Sequence, residues 1–166
     1  IGRKRVSMNI RQILVAALVL LAAGVFCAPA QELAVYADES FRAALKEIAT
    51  MFKETTGFEA HLVLGRSEAL AARIIAGATA DLFFPASEES LRQVMEKGLV
   101  DVALKRNILM GPPAEPVAED VPAEPQYVPA AVLLNATHRL QAMAFLEYLV
   151  SEPARSVFAR QGFTLP

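Results

Sequence analysis

The feature that most constrains the fold is a unit that occurs twice, in which an apolar strand leads into a serine and then into an amphipathic helix. The first copy reads LAVYADES at residues 33–40, and the second reads HLVLGRS at residues 61–67. In a parallel α/β sheet, both serines arrive at the carboxyl edge of adjacent strands, which is where such folds bind ligands. The pattern therefore predicts that Ser40 and Ser67 lie close together.

These two serines have a functional interpretation and an ordinary one. A hydroxyl beside the free N–H groups and positive dipole end of a helix can hold a small oxyanion without any charged side chain. Serine is also among the commonest helix N-cap residues, where its oxygen accepts a hydrogen bond from the second or third helical N–H. The residues alone leave both alternatives open, and the two roles are compatible.

The first thirty residues have the layout of a secretory signal peptide. A basic start precedes an apolar run at residues 13–26, and the small-residue pattern A-P-A follows at residues 28–30, which predicts cleavage near Ala30. The alternative is a transmembrane anchor, but the run is shorter than the roughly 20 residues that a spanning helix needs. We therefore expect a periplasmic or secreted protein, with no membrane insertion after cleavage.

Composition narrows the function classes. The single cysteine, Cys27, lies in the leader, so the rest of the chain has no thiol for a disulfide or for catalysis. The leader also carries four basic residues and no acid, which leaves 12 basic against 18 acidic residues, a net charge of −6. Such an acidic domain is a poor candidate for binding nucleic acid. No phosphate loop, metal-ligand spacing or nucleophile motif is visible, so we predict no enzyme, no cofactor and no protein metal ligands.

Strands and helices alternate after the leader. Strands are predicted at about residues 33–37, 60–64 and 81–84, each followed by an amphipathic helix that ends at a glycine. This alternation predicts an α/β fold with a parallel sheet and helices on both of its faces. A closing strand at residues 127–134 and two further helices complete the pattern.

The predicted organisation has four parts. Residues 1–30 are the signal peptide, and residues 31–110 are the first part of the α/β lobe. Residues 111–126 hold half of the ten prolines, four acids and no base, which indicates an extended Pro/acid-rich linker. Residues 127–166 supply the closing strand and two helices of the same lobe.

Four signatures resemble those of the periplasmic molybdate-binding proteins of ABC importers, in the order found in that family. They are VYADESF at residues 35–41, LGRSEAL at 64–70, AGATADLFF at 76–84, and the closing pair AFLEYL at 144–149 with FARQGF at 158–163. The resemblance implies a single lobe of a type II periplasmic-binding-protein fold, with a mixed, mainly parallel sheet of about five strands flanked by helices. The middle third that builds the second lobe of that family is missing.

The resemblance also implies a function and a site. Proteins of this family hold their oxyanion with hydroxyl and backbone N–H groups, and the matching donors here are Ser40 and Ser67. The implied function is a substrate-binding protein that binds a tetrahedral oxyanion, molybdate or tungstate, and delivers it to the membrane component of an ABC importer. Glu39, Arg66 and Glu68 flank the serines as candidate secondary site residues.

Acidic residues beside the serines depart from the family pattern. At Asp38, Glu39 and Glu68 the family mostly has alanine or glycine, and carboxylates there repel a dianion or occupy the helix N–H groups themselves. The acids are otherwise ordinary helix-start residues favoured by the macrodipole, or they form a shallow site for a cation or amine. The alternative function is a single-lobe protein-interaction or scaffold module that has lost oxyanion binding. Such a module binds a second copy of itself, as a homodimer, or a separate protein that supplies the second lobe.

Overall fold

The computed structural model describes residues 32–111 and 126–166, which form one α/β lobe. The predicted signal peptide at residues 1–30 and most of the predicted linker, residues 112–125, lie outside the described residues. None of the helices within the described ranges is long and apolar enough to cross a membrane.

Five strands and five helices follow one another along the described residues. The first elements are β1 (Glu32–Asp38), a short 3-10 turn (Glu39–Phe41), α1 (Arg42–Thr56), β2 (Glu59–Gly65), α2 (Ser67–Ile75) and β3 (Leu82–Phe84). The remaining elements are α3 (Glu88–Glu96), β4 (Val100–Met110), β5 (Tyr127–Leu133), α4 (Arg139–Leu149) and α5 (Glu152–Arg160). Every strand and helix predicted in these ranges is present, and β4 is a further strand that the sequence pattern does not place.

The sheet has the order β2-β1-β3-β5-β4. Strand β1 pairs in parallel with β2 and β3, whereas β5 pairs antiparallel with both β3 and β4. Four strands therefore run in one direction and β5 runs against them, which confirms the mixed, mainly parallel sheet. The parallel register aligns Asp38 with Gly65 and Ala37 with Phe84, so β1, β2 and β3 end at the same edge of the sheet.

Apolar side chains fill both faces of the sheet, because successive residues of a strand point to opposite sides. Helices α1, α4 and α5 cover one face, and α2 and α3 cover the other, which confirms the prediction of helices on both faces. The first face buries Leu33, Val35, Phe52, Phe84, Phe145 and Phe158. The second face buries Tyr36, Leu70, Ile74, Phe83, Leu91 and Val94. Each such side chain contributes about 1.5–3 kcal/mol when fully buried.

A buried carboxylate connects several elements at the amino edge of the sheet, which is the edge opposite the one where β1, β2 and β3 end. Asp81 is only 1% exposed, and it accepts hydrogen bonds from the backbone N–H groups of Ala34 and His138, both at 2.9 Å. The Nδ1 atom of His138 lies 3.2 Å from the same carboxylate. Asp81 therefore connects β1, β3 and the start of α4, which is a structural role.

The two ends of the predicted linker are neighbours. Met110 at the end of β4 pairs with Tyr127 at the start of β5, and the Gly111 N–H donates to the Gln126 carbonyl at 2.8 Å. Strands β4 and β5 thus form an antiparallel pair whose connection is the segment at residues 112–125.

Candidate functional site at the carboxyl edge of the sheet

The structure brings Ser40 and Ser67 to the same edge, as the repeated strand-serine-helix unit predicts. Strand β1 ends at Asp38, which is paired with Gly65 at the end of β2. Ser40 lies in the exposed 3-10 turn that follows β1. Ser67 is the first residue of α2, and its side chain is buried, with 4% of the residue exposed.

The carboxylate of Asp38 lies between the two serines. Its Oδ1 atom accepts hydrogen bonds from the backbone N–H of Ser40 at 3.0 Å and from the Ser40 hydroxyl at 2.8 Å. Its Oδ2 atom accepts hydrogen bonds from the backbone N–H of Ser67 at 3.0 Å and from the Ser67 hydroxyl at 2.5 Å. Each carboxylate oxygen therefore receives one N–H and one O–H, and all four donors are electrically neutral groups.

The segment after β3 joins this arrangement through Ala86. Its backbone N–H donates to the Ser67 hydroxyl oxygen at 2.9 Å. A hydroxyl carries a single proton, so a serine that accepts from Ala86 and donates to Asp38 has its orientation determined from both sides. The ends of the three parallel strands thus meet in one hydrogen-bonded group.

Neither serine is the N-cap of its helix. Asp38 caps the 3-10 turn by accepting from the Ser40 N–H, and the residues that precede α1 and α2, Phe41 and Arg66, make no side-chain cap bond. The ordinary capping interpretation is therefore wrong for both serines, because their hydroxyls donate to Asp38 instead of accepting from a helical N–H. Helix α1 begins at Arg42, after the 3-10 turn, and α2 begins at Ser67 itself.

The hydrogen bonds determine the protonation state of Asp38. Burial raises the pKa of its carboxyl, but the hydrogen bonds from Ser67 and Ser40 together outweigh this effect and hold the pKa below its usual value. The group is therefore an anion at neutral pH. The two serines and their backbone amides already act as an anion-binding site, with the chain's own carboxylate as the bound anion.

The candidate secondary residues form ion pairs at the surface. Glu39 pairs with Arg42 at 2.6 Å, and Arg66 lies 3.8 Å from Glu68 with 86% of its side chain exposed. Glu39 belongs to the 3-10 turn and Glu68 to the first turn of α2. These positions agree with the interpretation of the acids as helix-start residues favoured by the macrodipole.

The structure confirms for Asp38 the alternative that its carboxylate occupies a helix N–H group, that of Ser67, whereas the Ala86 amide is a member of the group that the sequence does not indicate. Asp38 is not among the residues predicted to bind the oxyanion. The spacing D-x-S at the end of a strand is the available signal, because an aspartate commonly accepts from the N–H two residues on. A surface cavity of about 330 Å³ opens beside Ala86 and is also lined by Gly111 and Tyr127.

Comparison with known proteins agrees with the fold and with the signatures. The model of the bacterial extracellular solute-binding protein family matches residues 33–118 and 112–164. The molybdate-binding protein ModA of Escherichia coli (strain K12) is 34% identical over 94 residues, which are 57% of this chain and 37% of that protein. The chain thus matches well under two thirds of the length of that relative.

Solved structures share the architecture. A substrate binding domain from Clostridium difficile has a TM-score of 0.73 at 13% identity, and the periplasmic molybdate-binding protein of Azotobacter vinelandii has 0.70 at 15%. In both comparisons 81% of this chain and 99% of the other chain are covered. The sulfate-binding protein SubI of Mycobacterium tuberculosis has a TM-score of 0.62 at 11% identity, over 80% of this chain and 86% of that chain. These likenesses establish the fold, and the family model, which matches most of the sequence, shows that this chain belongs to the bacterial extracellular solute-binding proteins.

Proposed function

We propose that this chain is an oxyanion-binding lobe of the molybdate-binding type, which captures a tetrahedral oxyanion such as molybdate or tungstate in the periplasm. Ser40 and Ser67 donate to the oxyanion through their hydroxyl and backbone N–H groups, and the Ala86 amide orients the Ser67 hydroxyl. The observation that carries this proposal is the convergence of four neutral donors on one pair of anionic oxygens. Homology to solute-binding proteins supports binding without catalysis.

The donor set suits a fully deprotonated oxyanion. Hydrogen bonds to a charged acceptor contribute about 1.5–3 kcal/mol each, about twice the value for neutral pairs. The backbone N–H groups of Ser40 and Ser67 can only donate, and the Ser67 hydroxyl oxygen already accepts one hydrogen bond, from Ala86. An oxyanion that presents an O–H to one of these N–H groups loses a hydrogen bond and leaves that donor unpaired, which discriminates against protonated species.

Export and delivery complete the proposed role. The signal-peptide layout of residues 1–30 supports secretion, with cleavage near Ala30 releasing the lobe into the periplasm. The membrane component of an ABC importer is the proposed recipient of the oxyanion, since that is the partner of the family that the sequence signatures resemble.

Calorimetric titration of the purified chain with molybdate tests the proposal, with sulfate as the competing oxyanion. We expect saturable binding that sulfate does not reproduce, and Ser40→Ala and Ser67→Ala each weaken it by up to about tenfold, which is the loss of about 1.4 kcal/mol of hydrogen bonding. Thr50→Ala is the matched control, because its exposed hydroxyl donates to the Lys46 carbonyl of its own helix. A folded chain that gives no heat with millimolar molybdate rejects the proposal.

One observation favours a second candidate, a single-lobe interaction or scaffold module without oxyanion binding. The anion site is already filled by Asp38, so the folded chain needs no external ligand to satisfy these donors. This candidate predicts no heat with molybdate, together with a homodimer or a co-purifying partner in size-exclusion chromatography with light scattering. A monomer that binds molybdate excludes it.

A further inference from the structure

We infer that the Asp38 carboxylate is an internal ligand of the oxyanion site, which occupies the four donors in the free chain and leaves them before an external oxyanion enters. The inference rests on the proposed function, since it names the residue that sets the affinity of that same site. Asp38 thereby becomes an affinity-determining residue, although it makes no contact with the bound oxyanion.

The contacts of Asp38 reproduce those of a bound anion. One half is local, because Oδ1 accepts only from Ser40, two residues further along the chain. The other half is long-range, because Oδ2 accepts from the N–H and hydroxyl of Ser67, which lies 29 residues away at the start of α2. An ordinary aspartate turn needs only the local half. The long-range half uses the donors that an oxyanion requires.

A comparison with Asp81 shows why Asp38 can leave. Asp81 is 1% exposed, and its oxygens are held by the backbone N–H groups of Ala34 and His138, so it has a structural position within the core. Asp38 is the last residue of β1 and is only partly buried. Rotation of its side chain carries the carboxylate from the serines into water without displacing the strand.

The cost to affinity follows from the occupancy of the donors. A ligand that binds only the unoccupied form has its apparent Kd raised by the reciprocal of the fraction of that form. If Asp38 fills the donors about 90–99% of the time, the apparent Kd for an oxyanion is about 10–100-fold weaker than the intrinsic value. Because the Asp38 carboxylate belongs to the same chain as the donors, its competition with an oxyanion does not depend on protein concentration.

The test is molybdate titration of the wild type, Asp38→Ala and Asp38→Asn by calorimetry. We expect Asp38→Ala to bind about 10–100-fold more tightly than the wild type. Asp38→Asn keeps the size of the side chain, removes its charge and also binds more tightly, so it carries the comparison if the alanine variant does not fold. Glu68→Ala is the control for through-space repulsion, because Glu68 lies in the first turn of α2 and pairs with Arg66. An equal gain in Glu68→Ala and Asp38→Ala overturns occupancy as the cause.

The outcomes separate this inference from the proposed function. Binding by Asp38→Ala with none by the wild type supports the internal ligand and rejects oxyanion capture by the natural chain. Equal Kd values for both proteins overturn the internal ligand and leave the proposed function standing. Absence of binding by either protein, with both folded by circular dichroism, overturns both.

Discussion

Replacement of Ser67 by alanine is the sharpest test of the hydrogen-bonded group at the carboxyl edge. The substitution removes one oxygen atom that makes two bonds, donating to Asp38 at 2.5 Å and accepting from the Ala86 N–H at 2.9 Å. Ser67 is buried, whereas Asp38 is half-buried and Ala86 is exposed, so water replaces the two lost bonds only in part. Ser40→Ala is the matched comparison, because it removes a hydroxyl that donates to the same carboxylate from an exposed position.

The expected magnitude follows from these two bonds. Loss of a hydrogen bond to a charged acceptor costs about 1.5–3 kcal/mol, and an unpaired buried N–H costs about 1–3 kcal/mol when no water reaches it. Asp38 keeps its other donors, and water reaches the N–H of the exposed residue Ala86, so we expect Ser67→Ala to lower the free energy of unfolding by about 1.5–3 kcal/mol. Water replaces the hydroxyl of Ser40, and Ser40→Ala is therefore expected to cost less than about 1 kcal/mol.

Urea denaturation measures both variants, with an unchanged slope as the sign that the unfolded states are comparable. A double-mutant cycle with Asp38→Ala then isolates the pair of Asp38 and Ser67, and we expect a coupling free energy of about 1–2 kcal/mol. A loss in Ser67→Ala no larger than that in Ser40→Ala would refute the reasoning. A coupling near zero would show that the short contact between the two side chains adds no stability.

Three further predictions concern the carboxylates. The folded-state pKa of Asp38 lies below the unfolded value of about 3.9, so the ionised carboxylate stabilises the fold fully above about pH 4, and this contribution is lost as the pH falls through the folded-state pKa. The difference in Tm between the wild type and Asp38→Asn should therefore shrink in acid. A difference that stays constant with pH contradicts this prediction. Asp81→Ala leaves the N–H groups of Ala34 and His138 unpaired and should cost about 2–4 kcal/mol in urea denaturation. Added salt should lower the ratio of the wild-type Kd for molybdate to the Asp38→Ala Kd only in part, because salt screens the repulsion between Asp38 and molybdate but does not free the donors that Asp38 occupies. A ratio that falls to one in molar salt indicates that repulsion alone weakens binding to the wild type.

Much of the lobe follows from the sequence, because its central elements have strong periodic patterns. The apolar residues of β1 and β3 and the helical spacing in α1 place two packed faces on one sheet. Parallel strands must end at a common edge, so the meeting of Ser40 and Ser67 could be predicted without coordinates. These features depend on local periodicity, which one sequence shows, and on the right-handed connection between parallel strands, which is a general rule.

Strand β4 could not be placed in the same way. It lies at the edge of the sheet, and its pairing with β5 shifts register between Val100 and Lys105 and again between Asn107 and Leu109. Each shift breaks the two-residue alternation that identifies a strand, and the exposed side leaves polar residues such as Arg106 within it. Pairing with β5, more than an alternating sequence of its own, makes this segment a strand.

The contact between Asp38 and Ser67 lies beyond local reasoning for another reason. The turn at Asp38 and Ser40 is visible as D-x-S, but the bond to Ser67 depends on the register in which Asp38 faces Gly65. A shift of one residue would turn the side chains of one strand to the other face of the sheet and separate the two groups. Sequence reasoning identifies the charge of Asp38, whereas only the paired strands show which donors it reaches.

The same donors serve the carboxylate and an oxyanion, so exchange of one for the other changes the number of hydrogen bonds little. The repulsion between the Asp38 carboxylate and the oxyanion then determines whether both can be present in the site. A unit charge beside a dianion at about 4 Å costs about 8 kcal/mol at an effective dielectric constant of 20, so the two cannot share the site. At about twice that distance the repulsion falls to about 4 kcal/mol at the same dielectric constant, and to about 1 kcal/mol at the dielectric constant of water. On the proposed function, release of Asp38 must therefore precede oxyanion binding, and the partial exposure of Asp38 gives its carboxylate access to water.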